Sequence, residues 1–211
     1  ALPRYNKTWN VDTMLQYQLS LADTNALSFK DITLKLVILV ALTTAQSGQS
    51  LHRMDIANIL KEKNSLTFML ASSMKRTQRG RPLSELTIQL KAYPHDQKLC
   101  VVRACSIYLD KTKELRGNET RLFITHRKPH KQASRDTIRR WIKQIMASAG
   151  IDVTVFKPHS VRSAATSKAK LNNASTADIL KAAGWTSATT FAKYYDKPID
   201  IGEPFSLMVL K

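Results

Sequence analysis

An α+β fold, mainly helical with a small antiparallel sheet, is predicted by three features of the sequence. Two long segments, SFKDITLKLVILVALTTAQ and SRDTIRRWIKQIMASAG, repeat apolar residues at helical spacing behind a serine entry. Two short segments, 65–71 (SLTFMLA) and 83–90 (LSELTIQL), have strand-like patterns and flank MKRTQRGRP, a basic hairpin turn marked by Gly and Pro. The 211 residues carry 43% hydrophobic content without repeats or low-complexity runs, enough for one large core.

Residues 1–30 hold one short helical pattern, VDTMLQYQLSL, and a polar turn; they are expected to form a linker with a short helix ahead of a domain over 31–198. Ser28 or Asp31 stands at the entry of the deeply buried helix that contains LKLVILVAL. A second short helix or turn is expected through SGQSLHRMDIANI, then the two strands around the basic turn. PHDQKLCVVRACSIYLDKTKEL has the spacing of an amphipathic helix, RLFIT that of a short strand, and HRKPHKQ is a basic loop. The following helix takes Ser134 as N-cap and Gly150 as C-cap. Its apolar stripe is Ile138, Ile142, Ile145 and Met146, with Arg135, Arg139, Arg140 and Lys143 mostly away from it. Residues 199–211 form a tail whose Phe205, Leu207, Met208, Val209 and Leu210 dock either on a neighbouring subunit or on the chain's own core. The abrupt start at ALPRYNKTWN is that of a fragment cut from a longer chain.

Lys and Arg number 33 against 16 acidic residues, a net charge of +17. The excess is spread along the chain, +7 through residue 120 and +10 beyond it, so it is not a detachable basic tail. A solvated charge shell needs a more even balance, and the partner such a surface fits is double-stranded nucleic acid. Cys100 and Cys105, the only cysteines, lie in an apolar run without zinc-ligand spacing and read as core thiols of a reducing compartment. No stretch approaches the ~20 apolar residues of a membrane span. Nothing has the layout of a signal peptide, so an intracellular protein without a membrane partner is expected.

The chemistry concentrates near the C-terminus. His159 and Arg162 in PHSVRSAATSKA lie three residues apart at the start of a helical stretch, so imidazole and guanidinium share one face. Trp185 ends ILKAAGW, and Tyr194 follows nine residues later in TTFAKYYDKP. Singly each is weak: HxxR on a helix is common, Trp185 reads as a core aromatic, and Tyr194 and Tyr195 as packing or surface phenols. Jointly, on a basic chain, they outline a phosphate held by Arg and His with a phenol able to attack it.

The stretch from Leu36 to Pro198 resembles the catalytic domain of tyrosine recombinases, the phage-integrase superfamily. HSVRSAATSKA, ILKAAGWTSATTFAKYY, HRKPHKQASRDTIRRWIK and LALTTAQSGQSLHRMDI are most similar to blocks of the recombinases of eukaryotic mobile elements, DIRS-type retrotransposons and cryptons. The resemblance implies a nuclear enzyme that cleaves and rejoins DNA through a 3′-phosphotyrosyl intermediate. It makes Arg162 the ligand of the scissile phosphate and His159 its partner in proton transfer. Trp185 becomes a donor to a non-bridging oxygen, and Tyr194 the nucleophile with Tyr195 as runner-up. Lys75, in the hairpin turn, matches the lysine that protonates the leaving 5′ hydroxyl. No metal or nucleotide cofactor is implied, because guanidinium groups absorb the transition-state charge and the phosphotyrosyl bond conserves its energy. In the resembled family, exchange of C-terminal tails links four protomers in a ring on DNA.

One position departs from the pattern. Where the family has the first of two phosphate-binding arginines, this chain has Ser47, which lacks the charge and the fork of donors. Losing one such donor costs about 10²–10³ in rate, roughly 3–4 kcal/mol. An engineered substitution that traps a complex, or a natural copy that decayed or was kept for binding alone, would each produce it. Arg53, six residues on, is too far to substitute.

The DNA-facing surface is expected on the helix from Ser134, through Arg135, Arg139 and Lys143, and on the loop of Arg127, Lys128, His130 and Lys131. Arg76, Arg79 and Arg81 surround Lys75 and extend that grip toward the cleaved bond. Three functions compete: a mobile-element recombinase or integrase impaired at Ser47, a non-catalytic DNA-binding protein derived from one, and a type IB topoisomerase-like enzyme. The full catalytic set favours the first over the second, and the apolar tail favours it over the third.

Overall fold

The computed structural model describes residues 5–70 and 87–200. Strand β1 (Thr8–Trp9) leads into helix α1 (Val11–Ser20), whose Asn10 cap accepts from the Asp12 amide at 2.9 Å. Helix α2 (Phe29–Thr44) starts where a serine entry predicts it: Ser28 accepts from the Asp31 amide at 3.1 Å and donates to its carboxylate at 2.6 Å. Ile32, Leu36, Val37, Ile38, Leu39 and Val40 are each at most 1% exposed. A helix apolar on all sides must be an axis, and α4 (Val101–Thr112), α5 (Arg135–Ser148) and α6 (Ser160–Leu171) pack around this one. Trp9, Val11 and Met14 belong to the same core.

Between α2 and α4 lie α3 (Gly48–His52) and three strands, β2 (Met54–Glu62), β3 (Ser65–Leu70) and β4 (Thr87–Lys91), which form an antiparallel sheet in that order. The helix or turn expected through SGQSLHRMDIANI is therefore only half right. Beyond Leu51 no residue continues a helical stripe, and from Met54 the chain pairs with β3, with a bulge between Asp55 and Leu60 and a two-residue turn at Lys63–Asn64. The basic turn that carries Lys75, Arg76, Arg79 and Arg81 lies outside the described residues. RLFIT is not a full strand: Arg121 bridges Asp55 and Ile124 bridges Gln132, each singly, while Leu122, Phe123 and Ile124 are buried. Helix α4 is shorter than its amphipathic pattern, because Asp96 accepts from the Lys98 amide at 2.7 Å in a local turn that competes with the helix.

The C-terminal part comprises α6, α7 (Thr176–Ala183), α8 (Ala188–Tyr194) and β5 (Ile199–Asp200), which pairs in parallel with β1. Chain entry and exit thus lie side by side, with the Thr8 amide donating to Pro198 at 2.8 Å and Lys7 2.7 Å from Asp200. The apolar tail residues Phe205, Leu207, Met208, Val209 and Leu210 lie outside the described residues. Among the described residues no helix is long and apolar enough to cross a membrane. Cys100 and Cys105 are buried free thiols, and burial pushes Cys105 up to about 12.

Lys35 is the exception inside the core, fully buried on α2 with its ammonium 3.5 Å from the carbonyl of Gln18. Burial, and then the like charge of Lys98, lowers its pKa to about 8. The unfolded chain holds that proton to the usual lysine value of about 10.4. Between these values the unfolded state binds more protons, so this group makes stability rise with pH from about 8 to about 10.4 and leaves it flat below. Lys35→Met should raise stability at neutral pH by up to about 3 kcal/mol and abolish that rise. Denaturant titrations of both proteins across the window check it, and a parent-to-variant difference that does not shrink with rising pH would refute it.

Candidate active site

Helix α6 places Arg162 in its first turn, behind the N-cap His159. The Arg162 Nε donates to the carbonyl of Ala45 at 2.7 Å and Nη2 to that of Ala183 at 2.6 Å. Those carbonyls end α2 and α7, so the guanidinium sits between two helix C-termini, the negative ends of their dipoles. Two aromatic rings lie against it, with the Trp185 centroid at 4.5 Å and that of Tyr195 at 5.5 Å, the rings themselves 4.1 Å apart. Burial lowers the pKa of Arg162, while the nearby Tyr195 phenol acts in the opposite direction. The group remains a cation, because guanidinium pKa values start above 12.

Local structure explains why the indole is there. Gly184 ends α7 in the left-handed region at φ 65°, and the Trp185 amide donates back to Leu180 at 2.9 Å. Gln46 ties the same corner to the end of α2 by donating to Ala182 at 2.7 Å. The Trp185 ring lies 4.1 Å from that of Tyr195 and 5.9 Å from that of Phe191. Tyr194 is the last residue of α8, and the Lys193 ammonium sits 5.3 Å from its ring.

The nine-residue step from Trp185 points to Tyr194 as nucleophile, but the structure brings Tyr195 to the guanidinium. Helix α8 stops at Tyr194, and Tyr195 turns out of it at φ −125°, ψ −22°. A residue count cannot register that change of direction. His159 is exposed at the head of α6, its ring 5.5 Å from that of Tyr5. Ser47 caps α3, accepting from the Ser50 amide at 3.2 Å, two residues after the carbonyl that holds Arg162. Residue 47 therefore lies two positions along the chain from a carbonyl that binds the Arg162 guanidinium. Sequence reasoning missed the Ala45 and Ala183 carbonyls, and no side-chain pattern could have shown them. It also missed His52, whose Nδ1 lies 2.9 Å from the Ala133 carbonyl and ties α3 to the approach to α5.

On α5, Ser134 caps as expected, accepting from the Thr137 amide at 3.1 Å. Ile138, Trp141, Ile142, Ile145 and Met146 are buried, while Arg135, Arg139 and Lys143 are exposed. In the preceding loop Arg127, Lys128 and Lys131 are exposed, the last 3.9 Å from Glu119. His130 differs from expectation: its Nδ1 lies 2.9 Å from the Thr125 carbonyl and its ring 5.7 Å from that of Phe29. That imidazole is half-buried and braces the loop. Among the described residues no group of three or more His, Cys, Asp or Glu could hold a metal ion.

Residues 13–198 match the Phage integrase family. The chain belongs to that family. No curated protein matches it in sequence. Its fold is that of tyrosine recombinase catalytic domains, as three solved structures show. The XerH site-specific recombinase bound to difH substrate in a pre-cleavage complex is 14% identical at a TM-score of 0.66, covering 92% of this chain and 50% of that one. The XerA recombinase is 17% identical at 0.63, covering 100% and 64%. A lambda integrase(75-356) dimer bound to a COC′ core site is 18% identical at 0.56, covering 95% and 62%. This integrase-family chain thus spans about half to two-thirds of the length of those proteins.

Proposed function

We propose that this chain is the catalytic part of a site-specific DNA recombinase or integrase of a mobile element, acting on double-stranded DNA in the nucleus and slowed by Ser47. The observation that carries the reading is the convergence of Arg162, Trp185 and Tyr195, a guanidinium 4.5 Å from the indole ring and 5.5 Å from the phenol ring, with those two rings 4.1 Å apart. In the reaction a tyrosine oxygen, that of Tyr194 by the nine-residue step from Trp185 or that of Tyr195 by its place beside Arg162, forms a bond to the scissile phosphorus. The bond to the 5′ oxygen breaks, and a proton passes to that leaving oxygen, for which the family resemblance nominates Lys75. Arg162 neutralises the charge that grows on the equatorial oxygens, Trp185 is within reach of the same phosphate, and His159 serves proton transfer from the head of α6. Rejoining is the reverse attack by a 5′ hydroxyl, and four protomers acting together would exchange strands. The decisive assay is a detergent-resistant protein–DNA adduct on a nicked duplex carrying the element's own site.

Duplex binding itself rests on the exposed Arg135, Arg139 and Lys143 of α5, with Arg127, Lys128 and Lys131 beside them. Affinity should fall steeply with salt. Truncating the three α5 cations should lower the slope of log affinity against log salt by about 2–3. Truncating Lys61 and Lys63, exposed at the β2–β3 turn, should matter less. Salt-independent binding would remove this reading. Ser47 itself favours a second one, a recombinase-derived protein that binds DNA without cleaving it, and this reading expects salt-dependent binding but no adduct.

A further inference from the structure

The last four carbonyls of a helix have no partner inside it. In α7 two of them are closed by its own turn, Lys181 by the Gly184 amide at 3.3 Å and Leu180 by that of Trp185 at 2.9 Å. The other two, Ala182 and Ala183, are taken by side chains from other elements. The Gln46 carboxamide donates to Ala182 at 2.7 Å and the Arg162 Nη2 to Ala183 at 2.6 Å. Both donors span one gap, because Arg162 also donates through Nε to Ala45, the residue before Gln46. The ends of α2 and α7 are thus joined by two rungs, one charged and one neutral.

The peptide unit between Ala45 and Gln46 is held on both edges. Its carbonyl accepts from Arg162, and its N–H, on the opposite edge of the same plane, donates to the Thr44 hydroxyl at 3.3 Å. Ala45 itself is buried in the left-handed region at φ 50°, which a residue with a Cβ rarely adopts and which persists only where the surroundings fix it. The Gln46 side chain reaches the other helix without belonging to the phosphate clamp. A Cβ at Gly184 would stand 3.6 Å from its nitrogen, so the same amide packs against the turn that delivers Trp185. Resting on the recombinase reading, we infer that Gln46 is a positioning residue: it sets the gap between α2 and α7, and with it the point at which Arg162 presents its remaining N–H groups to the scissile phosphate. A neutral carboxamide suits the role, because it brings a donor to a carbonyl without placing a like charge beside the guanidinium. Without it the Ala182 carbonyl would draw on water or on Arg162 itself, and either outcome moves the guanidinium.

Hydrogen exchange at the guanidinium, followed by NMR, reads this without cleavage. In the parent the Arg162 Nε proton, bonded to Ala45 at 2.7 Å, should exchange more slowly than that of exposed Arg139, with the two assigned by Arg162→Lys and Arg139→Lys. Gln46→Met keeps the length of the side chain but deletes the donor. There the Arg162 proton should exchange about tenfold faster, while buried amides of α2 such as that of Ile38 keep their protection. Equal exchange at Arg162 and Arg139 in the parent, or unchanged Arg162 protection in Gln46→Met, overturns the inference. So does an equal loss of protection at Ile38, which would make Gln46 a stabiliser of the whole fold and nothing more. If Gln46→Met does not fold, Gln46→Asn, a methylene too short for Ala182, should give the same selective loss; retained protection there overturns the inference equally.

Adduct formation in a Ser47→Arg background gives the second arm. Adding Gln46→Met should leave DNA affinity within about twofold, because no charge changes. Adduct should form about 10-fold to 10²-fold more slowly, since an ångström of misplacement costs about 10². An undiminished rate overturns the inference. No adduct with or without Gln46→Met counts against the recombinase reading, and the exchange result then decides the positioning role.

Discussion

Tyr195→Phe should abolish covalent protein–DNA adduct on a nicked substrate, whereas Tyr194→Phe should leave most of it. The Tyr195 ring lies 5.5 Å from the Arg162 guanidinium and 4.1 Å from the ring of Trp185. Phenylalanine keeps this aromatic packing but deletes the attacking oxygen, so loss of chemistry should come without loss of fold. Nucleophile removal costs about 10⁴–10⁶ in rate where the residue acts with its neighbours as a unit. DNA affinity should be unchanged, since neither substitution removes a positive charge. Adduct measured by gel shift under denaturing conditions, alongside a binding titration, separates the two effects. Adduct surviving in Tyr195→Phe and lost in Tyr194→Phe would return the assignment to the residue that spacing alone selects.

The helices and the site were legible in the sequence to different depths. Capped helices were read almost to the residue, because Ser28 and Ser134 announce their starts through side chains that meet local amides. Strand β2 was not, because MDIANIL lies next to a helical turn and pairs across a bulge, which breaks the period-two signal. HxxR placed Arg162 correctly on a helix face, yet what the guanidinium touches was invisible: its two partners are main-chain carbonyls more than 20 residues from it in either direction. Those contacts are products of helix packing, so no residue type encodes them. The choice between Tyr194, which the spacing selects, and Tyr195, whose ring lies beside Arg162, has a related basis. It turns on where α8 stops, and boundaries depend on tertiary partners such as Ser163 and Ser167 of α6, whose hydroxyls donate to the Tyr195 carbonyl.

Ser47→Arg should raise adduct formation by about 10²-fold or more, the inverse of losing one preorganised donor at a developing oxyanion. The geometry limits what Arg162 can supply by itself. Nε and one Nη2 donor are engaged by Ala45 and Ala183, and the Trp185 ring lies 4.5 Å from the same group. Three of its five N–H donors, all on one guanidinium, are left for a pentavalent phosphate that presents three charged equatorial oxygens. An arginine at residue 47 would start two residues from the carbonyl of Ala45, beside the first guanidinium, and would bring a second full charge and a fork of donors. The substitution has a structural cost, because the Ser47 hydroxyl caps α3 and contacts that of Ser50. Loss of an N-cap typically lowers stability by about 1 kcal/mol, so the variant should melt a few degrees lower while reacting faster. That opposite movement of stability and rate is the signature to look for on a nicked duplex carrying the element's site. A variant that binds the duplex, melts as expected and traps no more adduct than the parent would show a defect wider than residue 47. The binding-only reading would then describe this chain better than the recombinase one.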